Sequence, residues 1–154
     1  MLHSSCVVVD EKAYLFSADS GTGKSTHVNM WLERFGARAF ILNDDKPALR
    51  LVNGKWYAYG TPWSGKNDIS RNFRVQVQGI AMIERAQENA IERFMGINAI
   101  AAVIRQCNRP RDKESREKLL ALLEKLFEMV PVWRLKCNTE RDSVDVSYRA
   151  MSEK

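Results

Sequence analysis

The segment SADSGTGKST, residues 17–26, narrows the folds open to this chain more than any other feature of its sequence. It follows AYLF, an apolar run typical of a strand. It precedes apolar residues that recur with the spacing of an amphipathic helix: Val28, Trp31, Leu32 and Phe35. Glycine makes turns that bulky residues resist. The segment therefore predicts a tight loop that joins a strand to a helix, on which His27 is expected to be solvated.

Residues 18–25 match the phosphate-binding pattern G-x-x-x-x-G-K-[ST], with Ala18 in place of the first glycine. In such a loop, successive backbone N–H groups hold phosphate oxygens, and the following helix points its positive end at them. In this pattern the lysine, here Lys24, contacts the β- and γ-phosphates, and the serine hydroxyl, here of Ser25, coordinates Mg²⁺. Alanine is acceptable at position 18 if its φ is negative. A flexible surface loop is the alternative interpretation. The predicted nucleotide contacts are Ser20, Gly21, Thr22, Gly23, Lys24, Ser25 and Thr26.

A second polar element, Asn43-Asp44-Asp45, follows the next apolar run, RAFIL. In open parallel sheets, ligands bind at the carboxyl ends of the strands. Two adjacent carboxylates repel each other unless a cation lies between them, and Mg²⁺ beside a phosphate loop meets that need. The alternative is a solvated turn before Pro47.

The remaining pattern predicts one mixed α/β domain. SSCVVVD and AYLFS read as adjacent strands, and strand, loop, helix and strand together predict a βαβ unit with a parallel sheet. Asn53-Gly54 between two alternating runs predicts a hairpin. VQVQGIAMIER and VPVWRLKC are expected strands, and NAIERF is either a strand or the start of a helix. Helices are expected in MGINAIAAVIRQC, in the leucine stripe over 119–130, and in ERDSVDVSYRAM.

Composition excludes several classes of protein. The chain has 154 residues, 45% of them hydrophobic, and a net charge of +5. No apolar run approaches the roughly 20 residues of a membrane helix, and MLHSSCVVVDEK lacks the basic leader of a signal peptide. Three unpaired cysteines suit a cytoplasmic protein. The basic residues are dispersed along the chain, which disfavours nucleic acid as a partner and suits a small anionic ligand.

The run LHSSCVVVDEKAYLFSADSGTGKST, with LNDDKP after it, resembles the C-terminal catalytic domain of HPr kinase/phosphorylase, and more distantly the phosphoenolpyruvate carboxykinases. The resemblance is closest to the branch that includes kinases of lasso-peptide precursors, and YGTPWSGK and IAMIER also fit that branch. It covers residues 2–50 well and the last 50 residues little. It implies an HPr kinase-like P-loop kinase domain over 1–154, either minimal or lacking an N-terminal region.

The resemblance also implies roles for individual residues. His3 matches a histidine that assists proton transfer, Asp44 matches the general base, and Asp45, with Ser25, matches the metal-facing position. Bifunctional relatives carry the stretch LEIRGLG with a metal-binding glutamate. The corresponding FRVQVQGIAMI has no glutamate, so we expect kinase rather than phosphorylase activity.

The expected reaction is ATP- and Mg²⁺-dependent phosphoryl transfer to a serine, or another hydroxyl, of a peptide or protein. Lys24 would hold the donor, and Lys66 and Arg71 are candidates to neutralise charge on the transferring group. Trp63 and Pro62 of the same loop could equally form a structural clamp. The alternative function is a non-catalytic nucleotide-binding regulatory module, which Ala18 and the missing glutamate favour. A carboxykinase reaction would need a far longer chain. No membrane partner is expected, and the related kinases suggest a homo-oligomer.

Overall fold

The computed structural model describes residues 1–153, which form one eight-stranded mixed sheet with four α-helices. The strands are β1 (Ser4–Val9), β2 (Lys12–Ser17), β3 (Ala39–Asn43), β4 (Ala48–Val52), β5 (Lys55–Tyr59), β6 (Arg74–Arg85), β7 (Ala90–Arg93) and β8 (Val132–Cys137). The helices are α1 (Lys24–Phe35), α2 (Gly96–Arg105), α3 (Lys113–Met129) and α4 (Asp142–Ser152), with a short 3-10 turn at Gly36–Arg38.

The sheet branches at its longest strand. Its main path runs β3-β1-β2-β6-β5-β4, and β8 pairs with both β6 and β7. The first residues of β6 pair with β5, and residues 80–85 pair with β8. Strands β2, β6 and β8 are parallel, and the remaining pairs are antiparallel.

Strand β2, helix α1 and strand β3 form the predicted βαβ unit. Strands β2 and β3 run in the same direction but are not neighbours, because β1 lies between them and is antiparallel to both. A tight turn at Asp10 and Glu11, with φ of 47° and 63°, forces β1 and β2 into a hairpin. Helix α1 then crosses β1 and returns the chain on its far side.

This arrangement brings three chain segments to one edge of the sheet. Because β1 is antiparallel, Ser4 at its start pairs with Ser17 at the end of β2, and Cys6 pairs with Asn43 at the end of β3. The residue before β1 and the loops after β2 and β3 therefore meet at this edge.

Helices cover both faces of the sheet. On one face Cys6 and Val8 pack with residues of α2 and α3, and on the other Val7 and Val9 pack with residues of α1 and α4. A strand buried on both faces is a continuous apolar run, as CVVV is. His27 lies inside the second layer with 1% of its surface exposed, so its expected solvation is wrong.

Most other predicted elements are confirmed. The β4–β5 hairpin turns at Asn53 and Gly54, both with positive φ. Residues 90–93 are a strand, so the alternative of a helix start is wrong. The leucine stripe is only partly buried, since Leu122 is 48% exposed. Within residues 1–153, no helix has the length and apolarity to cross a bilayer.

Candidate functional site

The loop between β2 and α1, residues 18–23, turns at two glycines and is called the phosphate loop after its predicted role. Gly21 and Gly23 have φ of 80° and 117°, values that only glycine adopts easily. Ala18 is not among the residues with positive φ, so alanine can replace the glycine of the pattern at this position without strain. Helix α1 starts directly after the loop, and the His27 N–H donates to the Gly23 carbonyl at 3.0 Å. The N-terminal amides of α1 thus open onto the loop.

Lys24 is held inside this loop. Its side chain is 9% exposed, and Nζ donates to the Ala18 carbonyl at 3.0 Å. Burial lowers the pKa of the Lys24 ammonium, while three nearby carboxylates act in the opposite direction: Asp45, Asp19 and Asp44. The ammonium is therefore placed between the loop and the acidic pair that follows β3.

Asn43 shapes the turn that carries the acidic pair. Its side chain is fully buried, and Oδ1 accepts from the backbone N–H groups of Asp45 at 3.0 Å and Lys46 at 2.8 Å. Its Nδ2 donates to the carbonyl of Thr61 at 3.1 Å and to the hydroxyl of Ser70 at 3.2 Å. One amide thus joins the end of β3 to the loop over 60–73.

The two aspartates have different partners. Asp44 accepts from the Ser5 hydroxyl on Oδ1 and from the Asn67 amide on Oδ2, both at 2.7 Å. The Oδ1 atom of Asp45 lies 3.4 Å from Nε2 of His3. Asp44 is therefore held on two sides, whereas Asp45 forms an ion-pair contact with His3 when that ring is protonated.

His3 is fixed by Gln106, the residue that caps the C-terminus of α2. The His3 N–H donates to the Gln106 carbonyl at 2.7 Å, and Nδ1 of its ring lies 3.1 Å from Oε1 of the Gln106 amide. Nε2 of the same amide donates to Asp19 of the phosphate loop at 2.8 Å. A chain of hydrogen bonds thus links the loop to the histidine.

These groups line one open cleft of about 740 Å³. The residues predicted from the sequence that line this cleft are His3, Ser20, Gly21, Gly23, Lys24, Ser25, Thr26, Asp44, Asp45 and Lys66. Thr22 lines an adjoining cavity instead. The cleft brings nearly all of the predicted site residues together.

Arg71 is not brought to the cleft. Its guanidinium stacks 4.5 Å from the centroid of the Phe40 ring, and its N–H donates to the Leu42 carbonyl at 2.9 Å, so it ties the 60–73 loop to β3. Trp63 of the same loop is 55% exposed. The loop thus brings Lys66 to the cleft, whereas Arg71 packs against β3 outside it.

Sequence reasoning missed Asn67 and Arg85, which line the cleft, and Ser5, which donates to Asp44. Arg85, at the end of β6, donates from Nε to the Thr22 carbonyl at 2.9 Å and from Nη2 to the Gly21 carbonyl. The parallel pairing of β6 with β2 brings its end to the loop. That pairing joins residues some 60 positions apart, and no local spacing signals it.

The oxygen donors of the cleft fit Mg²⁺. Within residues 1–153, no cluster of three or more His, Cys, Asp or Glu side chains could hold a metal alone. Mg²⁺ usually takes one or two carboxylates and completes its shell with phosphate oxygens and water. Ser25 and Asp45 line the same cleft and could supply such a partial set.

No protein-family model and no curated protein sequence matches this chain. Among solved structures, it is similar to the Hpr(Ser) kinase/phosphatase from Coxiella burnetii, with a TM-score of 0.52 and 13% sequence identity. The superposition covers 99% of this chain and 97% of the other. Such low identity with full coverage is informative about architecture alone. The chain has the single-domain mixed α/β fold of the HPr kinase type.

Proposed function

We propose that this protein is a kinase that transfers the γ-phosphoryl group of ATP to the hydroxyl of a serine in a peptide or protein. The observation that carries the proposal is the juxtaposition in one cleft of a phosphate-binding loop with His3, Asp44 and Asp45. The HPr kinase-like fold supports the same class of reaction.

The loop residues would bind the donor. Backbone amides from Gly21 to Ser25 surround the phosphates, and the start of α1 adds its positive end. Lys24 adds a full charge within this shell. Phosphoryl transfer depends mainly on positioning and charge neutralisation, and these groups provide both.

Asp44 would act as the base toward the acceptor. The hydroxyl oxygen attacks the γ-phosphorus, the bond to the β,γ-bridging oxygen breaks, ADP leaves, and the hydroxyl proton passes to Asp44. Each carboxylate oxygen has a second lone-pair direction besides the bonds from Ser5 and Asn67. Asn67 is exposed, so an acceptor hydroxyl could also replace its amide.

Ser25 and Asp45 would hold Mg²⁺, which when bound neutralises charge on the β- and γ-phosphates. His3, 3.4 Å from Asp45, orients that carboxylate and places a second proton carrier beside the acceptor. Lys66 would cover the transferring group from the loop over 60–73.

We further propose that the acceptor is a peptide, as in the lasso-peptide precursor branch. The reaction would run in the kinase direction, because the glutamate linked with phosphorolysis has no counterpart in FRVQVQGIAMI. Ten of the eleven residues of this stretch lie in β6, where Gln78 donates to the Met151 carbonyl at 3.3 Å.

One observation favours a second function, that of a nucleotide-binding regulatory module without chemistry. Both oxygens of Asp44 already accept a hydrogen bond from the protein, at 2.7 Å each. Such a carboxylate is well suited to hold the loop over 60–73 in place. In that case ATP would bind without any transfer.

Transfer of label from γ-labelled ATP to cell-extract proteins and to synthetic serine peptides, with Mg²⁺, separates these functions. The kinase predicts a labelled acceptor with the wild-type chain and no transfer with Asp44→Asn, while both bind ATP equally. Asp145→Asn makes the same change on the exposed surface of α4 and should leave transfer unchanged. An active Asp44→Asn variant would remove the proposed base, and tight ATP binding without transfer by the wild type would favour the module.

A further inference from the structure

Although the basic residues are dispersed along most of the chain, one segment concentrates them. This basic segment, residues 105–111, reads RQCNRPR and has three arginines and no acidic residue. It begins at the last residue of α2 and ends just before α3. Arg105, Arg109 and Arg111 are all exposed. The reaction described above uses none of the three.

Backbone hydrogen bonds hold the basic segment beside His3. The His3 N–H donates to the Gln106 carbonyl at 2.7 Å, and the Asn108 N–H donates to the Met1 carbonyl at 3.2 Å. The residues between these two bonds pair as an antiparallel bridge. Because His3 lines the cleft, this short ladder fixes the basic segment at the edge of the cleft.

Two of the arginines lie close to the point where the basic segment meets the cleft. Arg105 and Gln106 line a cavity of about 350 Å³ that reaches the phosphate loop at Asp19. Arg109 precedes Pro110, and a residue before proline favours an extended backbone. An extended residue spans about 3.3 Å, so Arg109 lies within about 10 Å of Gln106 along the chain. Both arginines can therefore contact a peptide that enters the cleft from the α2 side.

The positive charge of the basic segment is not neutralised by the protein. Within residues 1–153, none of its three arginines forms an ion pair. The acidic residues beside the segment have other partners. Asp112 accepts from the Ser115 N–H at 2.8 Å as the N-cap of α3, and Asp19 accepts from the Gln106 amide at 2.8 Å. Uncompensated charge of one sign attracts a partner of the opposite sign.

The setting favours an acidic peptide over a nucleic acid. The basic segment has no aromatic side chain on which a base could stack. It lies at the edge of the cleft that an acceptor serine must enter to reach Asp44. Arginine also suits carboxylates, because its planar guanidinium can donate to both oxygens of one carboxylate.

We propose that the basic segment binds acidic residues of the acceptor peptide and thereby guides its serine to Asp44. The inference rests on the proposed function and deepens it, because it assigns a sequence preference to the acceptor. Since an extended residue spans about 3.3 Å, the acidic side chains would lie about three to five residues from the serine. Arg105 and Arg109 are the main contacts.

Three synthetic peptides of equal length test this assignment. Each has one serine, and the positions three to five residues away on both sides are all Glu, all Gln or all Lys. Fluorescence anisotropy measures their binding without ATP, and label transfer from γ-labelled ATP with Mg²⁺ gives kcat/KM. We expect the wild type to prefer the Glu peptide to the Gln peptide about threefold to twentyfold in both measurements, the effect of two exposed ion pairs. Salt at about 0.5 M should reduce this preference.

The charge-reversal variant Arg105→Glu/Arg109→Glu should prefer the Lys peptide to the Glu peptide, while its ATP affinity changes less than about twofold. The milder variant Arg105→Gln/Arg109→Gln, which makes a smaller demand on folding, should lose most of the preference for the Glu peptide. Arg50→Glu/Arg149→Glu makes the same charge change at exposed positions of β4 and α4 and should keep the wild-type preference.

Equal binding of the three peptides by the wild type would overturn the inference, as would an unchanged preference in both Arg105/Arg109 variants. Displacement of the Glu peptide by an equal concentration of a single-stranded oligonucleotide would also overturn it and assign the segment to nucleic acid. Label transfer to all three peptides at equal rates would overturn the inference and support the proposed function. Selective binding of the Glu peptide without label transfer would support the acidic-peptide site and refute the kinase reaction.

Discussion

A Cβ atom built on Gly65 would lie 3.1 Å from the Cβ of Asp45, so the loop over 60–73 packs directly against the acidic turn. Gly65 also has a φ of 72°. We expect Gly65→Ala to displace Asp45 and to lower the rate of phosphoryl transfer about tenfold or more, because small misplacements of catalytic groups are costly. ATP affinity, measured by calorimetry, should change little.

Gly54→Ala is the control for Gly65→Ala, because it introduces the same backbone strain without a steric clash. Gly54 has a similar φ of 74°, but a Cβ there meets no atom within 4 Å. Both variants should lose roughly 1–2 kcal/mol of stability from the left-handed conformation, and only Gly65→Ala should lose activity. Equal rates in the two variants would contradict the proposed role of this contact.

Replacing Asn43 should destabilise the whole acidic turn. Asn43→Leu has a similar volume but leaves the N–H groups of Asp45 and Lys46 without their acceptor. An unsatisfied buried group costs about 1–3 kcal/mol, so we expect a loss of that order or more in urea unfolding. Asn29→Leu, on the exposed face of α1, should change stability by less than about 0.5 kcal/mol. Similar losses in both would contradict the prediction.

Lys24→Met should weaken ATP binding without lowering the stability of the fold. The change removes a charge from the phosphate shell, and a hydrogen bond to a charged group contributes about 1.5–3 kcal/mol, so ATP affinity should fall roughly tenfold to a hundredfold. The variant should be no less stable than the wild type, because burial disfavours the ammonium, as its lowered pKa indicates. Lys125→Met on exposed α3 is the control. Retained ATP affinity in Lys24→Met would contradict the assignment.

His27 should make stability depend on pH. Burial lowers the pKa of His27 from 6.5 to about 4. Between these values the unfolded chain binds more protons than the native one, so its contribution to stability is present above pH 6.5 and is lost as the pH falls toward 4. The expected contribution to the loss between pH 7 and pH 5 is about 2 kcal/mol.

His27→Gln keeps an acceptor for the Trp31 indole but cannot titrate in this range. Urea unfolding at the two pH values should therefore show a shallower pH dependence for the variant than for the wild type. Carboxylates titrate in both proteins, so only the difference between the two slopes reports on His27. Identical slopes would show that His27 does not titrate as proposed.

Arg85 should hold the phosphate loop in its binding conformation. Its guanidinium donates to the carbonyls of both Gly21 and Thr22. Arg85→Lys keeps the charge but loses the paired geometry. We expect affinity for ATP and for tripolyphosphate to fall together, roughly twofold to tenfold, the effect of one hydrogen bond. Arg116→Lys on exposed α3 should leave both affinities unchanged. Wild-type affinities in Arg85→Lys would contradict the proposed role of Arg85.

Local patterns predicted the elements of this protein well. The phosphate loop, the Asn53-Gly54 hairpin and the acidic turn each depend on residues close in sequence, where spacing and turn preferences carry the information. The position of β1 between β2 and β3 could not be predicted in this way. Strand pairing depends on which apolar face each strand must bury, and a strand–loop–helix–strand pattern predicts parallel strands without indicating whether another strand lies between them.

Side-chain environments were harder to predict than elements. His27 lies four residues before Trp31 on the buried face of α1. It was expected to be solvated, but α4, more than 100 residues later, covers α1 and places Ser147 within 3.2 Å of its ring. Arg71 lies in the loop that lines the cleft, but the Phe40 ring offers its guanidinium a closer surface. In both cases a distant segment supplies the deciding partner.

Strand β1, between β2 and β3, carries no proposed catalytic group, but it determines the distance between the phosphate loop and the acidic turn. Neighbouring strands lie about 4.8 Å apart, so one intervening strand separates the phosphate loop from the acidic turn by about 10 Å along the sheet edge. If β2 and β3 were direct neighbours, that separation would be about half as large. In the proposed reaction, the width of β1 thus sets the spacing between the bound donor and the carboxylate that would receive the hydroxyl proton.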